Sequence, residues 1–159
     1  MPTRHLLLRA ALCLVLPVGL AAQPATWPSA ERDSIDAIAT FRENLAAIHS
    51  RDRGRYLATY VHTARLLRHS PEGLDAGWEG WGARTSNAWP DTLIVRELRV
   101  APIAPGVVYG YYRYIGVPTP GDTLTGVSTR VFVRTPEGMR ITVTASWNDA
   151  VPPPRRTPR

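Results

Sequence analysis

Residues 123–134 (TLTGVSTRVFVR) and 139–147 (MRITVTASW) alternate along their length, with Thr135, Pro136, Glu137 and Gly138 between them. Strand side chains point alternately to opposite faces, and a Pro/Gly turn segment closes two such runs into a hairpin. In the first run Val127, Thr129, Val131 and Val133 share a face, with Ser128, Arg130 and Arg134 on the other. In the second, Met139, Ile141, Val143, Ala145 and Trp147 oppose Arg140, Thr142, Thr144 and Ser146. Each strand is therefore expected to bury its apolar face. A chain closing on this hairpin must build a sheet and find something to cover it.

The N-terminal residues read as an address. Arg4 and Arg9 precede the apolar stretch 10–20 (AALCLVLPVGL), and Ala21 and Ala22 close it, the three-region pattern of a cleaved secretory signal. The stretch is too short to span a bilayer comfortably and contains Pro17 and Gly19. Residues 1–22 are thus expected to be a signal peptide, 23–28 a linker, 29–149 one folded domain, and 150–159 a disordered Pro/Arg tail. Export to the periplasm or the extracellular space follows, with no membrane attachment after cleavage. Leu12 before Cys13 does not fit a lipoprotein signal. Cys13 is the only cysteine, so the mature domain has no disulfide, no thiol nucleophile and no cysteine metal ligand.

The net charge of +6 invites a nucleic-acid reading, but two of the charges leave with Arg4 and Arg9, and Arg155, Arg156 and Arg159 sit in the tail. The densest remaining cluster, Arg51, Arg53 and Arg55, is interrupted by Asp52 and continues into no basic stripe. An electrostatic footprint needs clustering, so no nucleic-acid partner is expected.

Ser29 is placed to cap a helix on which Ile35, Ile38, Phe41, Leu45 and Ile48 form one apolar stripe. Asp52 can cap a shorter second helix burying Tyr56, Leu57, Tyr60 and Val61, and a brief strand follows at 65–69. Trp78, Trp81, Thr85 and Trp89 fall on one face of a third helix from about Leu74. Gly77, Gly80 and Gly82 oppose it, at about 1 kcal/mol each relative to Ala. Four strands complete the chain, at 92–100, 107–117, 123–134 and 139–147. Strands of eleven residues reach roughly 36 Å and twist, so the meander is expected to curl around its cover.

This order resembles the nuclear transport factor 2-like superfamily, and its SnoaL-like members in particular. The segment 56–73 (YLATYVHTARLLRHSPEG) is similar to the family's second-helix end, first strand and turn. Asp75, Ala76, Gly77, Trp78 and Glu79 are similar to the start of its third helix, and 129–147 to its final hairpin. The resemblance implies an α+β fold: a curved four- to five-stranded antiparallel sheet wrapped around three N-terminal helices, a cone with a pocket. Relatives include isomerases, cyclases and dehydratases that use an inward Asp, His or Tyr, and others that only bind ligands or assemble. Where many SnoaL-like sequences carry histidines on the last strand, Val143 and Ala145 stand here, so that wall is expected to hold no acid or base.

General acid-base work needs an ionisable group facing an enclosed site. His49 falls at an exposed helix end, which leaves His62 and His69 as catalytic candidates. Asp75 and Glu79 read as a solvated first helical turn, and Glu97, beside Arg96 and Arg99, as a surface cross-strand partner. No metal or other cofactor is expected. On the fourth segment Val108, Gly110, Tyr112 and Tyr114 share a face. If that face is inward, Tyr60, Trp78, Trp81, Tyr112, Tyr114 and Trp147 surround one ligand site, and aromatic walls with a few hydroxyls suit a flat apolar molecule. Three readings follow: a non-enzymatic binder of a small apolar ligand; a cofactor-free isomerase, cyclase or dehydratase using His62 or His69 with a tyrosine; and a homodimeric interaction module.

Overall fold

The computed structural model describes residues 29–71, 73–81, 92–117 and 123–149. The signal-peptide, linker and tail expectations lie outside these residues, as do Gly82, Thr85 and Trp89. Helix α1 runs over Ala30–His49 and buries Asp33, Ala37, Phe41, Asn44, Ala47 and Ile48. The expected stripe is therefore rotated: Phe41 and Ile48 belong to it, but Ile35 is 53% exposed. Two polar residues take the vacated places because the sheet supplies their hydrogen-bond partners, which removes the usual cost of burying them.

Helix α2, Arg53–Ala58, starts where expected, with the Asp52 carboxylate accepting from the Arg55 amide at 2.9 Å. Beyond it Tyr60 bridges Ile141, and Val61 N–H donates to the Ile141 carbonyl at 2.9 Å. Strand β1, Leu67–Ser70, continues this path parallel to the last strand, and β2, Gly73–Ala76, returns antiparallel to β1. A third helix from Leu74 does not form. Leu74 pairs with His69 in β2, and α3 starts later and is described over Trp78–Trp81. Gly77, at φ +78°, separates the two elements.

The meander comprises β3 (Thr92–Ala104), β4 (Val107–Val117), β5 (Leu124–Thr135) and β6 (Gly138–Asn148). Sheet order is β2-β1-β6-β5-β4-β3. The α+β architecture stands, with six strands and one parallel junction.

The face assignment of the closing hairpin is overturned. Val108, Gly110, Tyr112 and Tyr114 of β4 pair with Phe132, Arg130, Ser128 and Gly126 of β5. Tyr112 meets Phe41 of α1 ring to ring at 4.9 Å, so this is the face that the helix covers. Ser128 and Arg130 are inward, at 3% and 5% exposure, and the valines of β5 are on the outer face. On β6 a bulge changes the count. Phe132 pairs with Ile141 but Val131 with Val143, leaving Thr142 as the extra residue. Met139 and Ile141 face inward before it; after it Thr144 and Ser146 do, opposite Arg130 and Ser128, while Val143, Ala145 and Trp147 turn outward. One extra residue reverses every later side chain.

Helix α1 is fixed to this face at its N-terminal end. The fully buried Asp33 carboxylate accepts from Arg134 Nε at 3.0 Å and Nη2 at 2.7 Å. It also takes the Gly106 amide at 2.9 Å, from a turn glycine at φ +70°. Asp36, one turn on, accepts from Arg134 Nη2 at 2.9 Å. Hydrogen bonds to charged groups contribute about 1.5–3 kcal/mol each, which makes this cluster a principal tie between helix and sheet.

At the other end of β5, Gly126 lies beneath the Tyr114 ring. A Cβ there would overlap the Trp147 carbonyl oxygen and the Tyr114 hydroxyl. Gly126→Ala is expected to cost about 1–3 kcal/mol through overpacking, read as a lowered urea midpoint. A pH effect follows from Asp36. Its hydrogen bond from Arg134 lowers its pKa from the ordinary 3.8, against an opposing effect of burial and with further lowering by Arg32. A carboxylate with a depressed folded-state pKa adds stability above its unfolded value and loses it as pH falls through the folded value. Asp36→Asn is therefore expected to be less stable than wild type at pH 7, with the difference closing below about pH 4 in denaturation measured across pH.

Candidate functional site

The covered face of the sheet carries one cation into the core. Arg130 sits mid-strand on β5, opposite Gly110 of β4 and Thr144 of β6, beside the Thr142 bulge. Its Nη1 donates to Asn44 Oδ1 of α1 at 2.5 Å, and its Nη2 donates to the Tyr112 hydroxyl at 3.0 Å. The guanidinium carbon lies 5.3 Å from the Phe41 ring centre and 5.4 Å from that of Tyr112. Nε–H is buried and has no hydrogen-bond partner. No carboxylate among the described residues bonds this group.

Asn44 is itself held in place. Its Nδ2 donates to Thr59 Oγ1 at 2.7 Å, and Thr59 Oγ1 donates to the Tyr56 carbonyl at 2.7 Å. The amide oxygen is thereby turned toward Arg130. Tyr56 and Tyr60 come from α2 and the bridge after it, with their hydroxyls 2.8 Å apart. Trp81 of α3 packs edge-on to Tyr60 at 4.9 Å and to Tyr56 at 6.1 Å. Burial pushes the Tyr56 phenol well above its ordinary range, so it supplies no negative charge. Burial alone would lower the Arg130 pKa, but attraction to Tyr112, Tyr60 and Tyr56, which acts once those phenols ionise, and the Tyr112 hydrogen bond raise it above its usual value, so the group stays cationic.

The energetics are close to balanced. An ion in the interior costs several kcal/mol after relaxation. Two charged hydrogen bonds at about 1.5–3 kcal/mol each, with desolvated cation–π contacts of about 2, offset a penalty of that size. They leave one donor and the whole positive charge unanswered.

Of the six residues expected around a ligand, Tyr60, Trp81 and Tyr112 meet at this site. Tyr114 shares the inward face further along β4, half-buried, and donates to Asn148 Oδ1 at 2.7 Å. Trp78 is half-buried and packs against the same core, with its ring stacked on His62 at 3.6 Å. Trp147 lies on the outer face, 46% exposed. The catalytic candidates are elsewhere too. His62 Nε2 donates to the Leu57 carbonyl at 3.0 Å, and His69 lies edge-on to Trp147 at 5.8 Å. Neither ring makes a hydrogen bond to Tyr60 or Tyr112. Glu97 is exposed at a β3 bulge with φ 52°. Asp75 pairs with Arg68 at 3.3 Å across the hairpin of β1 and β2.

Arg130, Asn44 and Phe41 were not expected at a site. Arg130 was assigned to solvent by its alternation with valines, and Asn44 fell between apolar positions. The register that sets Arg130 opposite Gly110 appears only with strand pairing, and the space a Cβ would take at Gly110 lies 3.0 Å from the Phe132 ring. An open depression of about 580 Å³ is lined by Tyr60, Val61, His62, Thr63, Glu137 and Arg140 among others; of the cluster, Tyr60 alone belongs to its lining. Among the described residues no group of three or more His, Cys, Asp or Glu is placed to hold a metal ion, and no helix is long and apolar enough to cross a membrane.

No family model and no curated protein matches the chain. Solved structures do. A protein of unknown function from the DUF3225 family of Pectobacterium atrosepticum superimposes with a TM-score of 0.64 at 17% identity, over 79% of this chain and 100% of its own. A cystatin-like fold protein from Burkholderia xenovorans gives 0.65 at 18%, over 78% and 97%. A type 2 hexachlorocyclohexane dehydrochlorinase gives 0.57 at 15%, over 79% and 99%. The chain has the nuclear transport factor 2-like, or cystatin-like, fold.

Removing the Tyr112 hydroxyl leaves Arg130 Nη2 without its protein acceptor. Tyr112→Phe is expected to lose about 1–3 kcal/mol in urea denaturation, out of proportion to one oxygen atom.

Proposed function

We propose that this is an exported SnoaL-like domain whose cone interior binds a small, flat, largely apolar molecule without acting on it by acid-base chemistry. The observation that carries the reading is the convergence of Tyr56, Tyr60, Trp81 and Tyr112 from α2, α3 and β4 around one point. Aromatic walls with a few placed polar groups are the usual lining of small-molecule sites. The depression beside Tyr60, at about 580 Å³, has the size of a small-ligand cleft. The enzymatic alternative has less support: proton transfer needs a titrating group within reach of the bound molecule, and His62 and His69 are engaged with Leu57 and Trp147. That one structural neighbour is a dehydrochlorinase is in keeping with a ligand-holding cone, and fold alone does not carry its chemistry over.

Native mass spectrometry of protein purified from its own host is the direct test. A bound small molecule released by organic solvent is expected, and Trp81→Ala should lower its occupancy by about tenfold, the size expected for truncating a buried aromatic anchor. Protein that carries nothing, and whose tryptophan fluorescence responds to no apolar compound, would refute the reading.

A further inference from the structure

We propose that Arg130 is a carboxylate-binding residue, and that the molecule held in the cone is a flat organic acid. This rests on the cone interior being a ligand site. Three observations support it. Arg130 is 5% exposed, yet its Nε–H has no acceptor. Its partners, Asn44 and Tyr112, are neutral, so a full positive charge is buried without a counter-ion among the described residues. The same helix and strand also form the matched version of this contact: Arg134, four residues along β5, is met by Asp33.

The comparison of those two contacts decides against a purely structural role. Asn and Asp have nearly the same shape, and an aspartate at position 44 would neutralise Arg130 as Asp33 neutralises Arg134. An asparagine there positions the guanidinium and leaves its charge for something else. Nε–H and one Nη2 hydrogen form the planar edge that meets the two oxygens of a carboxylate. The charge balance favours a monoanion, since a phosphate dianion would leave a negative charge buried in place of the positive one. Phe41, Tyr60 and Trp81 supply apolar contact for the rest of the molecule.

Calorimetry on the full-length protein with 2-naphthoate, benzoate and the corresponding amides tests the assignment. The acids are expected to bind at least about tenfold more tightly than the amides, the worth of one charge-assisted bidentate contact. Asn44→Asp supplies an internal counter-ion at nearly constant volume. It should weaken acid binding by about tenfold or more, and by more than it weakens amide binding, so that the acid-to-amide preference falls. In the wild-type protein, the 15N-resolved Nε–H resonance of Arg130 should shift with 2-naphthoate and not with 2-naphthamide. Equal binding of acid and amide, an Asn44→Asp variant that binds acids as wild type does, or a co-purifying molecule with no acid group would overturn the carboxylate assignment while leaving the ligand site standing. Failure of every probe to bind, with nothing co-purifying, would remove the ligand site and this assignment with it.

Discussion

Helix α1 is held to strand β5 by two arginines of that strand, and the arrangement of the remaining elements follows from this contact. Asp33 and Asn44 are eleven residues apart on the helix, about three turns or 16 Å. Arg134 and Arg130 are four apart on the strand, about 13 Å. The two spacings match closely enough for the helix to receive both arginines of the strand, one near its start and one three turns on. That docking requires the arginine-bearing face of β5 to look inward. It also rotates α1, so that Asp33 and Asn44 are buried and Ile35 is exposed.

Much of the architecture was legible in the sequence because it depends on local chemistry. Turn residues mark the meander, Asp52 caps α2, and alternation gives the length of each strand and the grouping of residues by face. Which face goes inward was not legible. A hydrophobic criterion chooses Val127, Val131 and Val133 over Ser128 and Arg130, yet the latter pair is buried because its partners lie on α1, far away in sequence. The Thr142 bulge was equally hidden. Alternation runs through the β6 sequence without interruption, and only pairing with β5 shows that the strand contains one residue too many.

The same two features account for what was missed at the site. Apolar stripes and histidines are the usual signals of a core and of acid-base chemistry, and both directed attention away from Arg130. Tyr60, Trp81 and Tyr112 lie in the interior as expected because aromatic residues favour interiors whichever face carries them. Trp147 would have joined them under strict alternation, but the bulge carries it to the outer face. A bulge beside a functional residue commonly re-aims a side chain. Here it places the small hydroxyls of Thr144 and Ser146 on the inward side, opposite Arg130 and Ser128, where Val143 and Ala145 would otherwise stand.

A buried guanidinium is a costly way to fill a core. An apolar side chain of similar volume in its place is often neutral or stabilising by about 1–4 kcal/mol. The cluster at Arg134 is easily understood without a ligand: its side chain is 39% exposed, its carboxylate partner is buried, and together they close the N-terminal end of the helix. Arg130 has neither solvent nor, among the described residues, a carboxylate. Its aromatic and amide neighbours hold its position and plane without cancelling its charge, which is the condition for a preorganised anion site. A guanidinium already desolvated and oriented spends little further free energy when an acid arrives. The interior of this cone is therefore arranged around an electrostatic demand that its own described side chains do not meet.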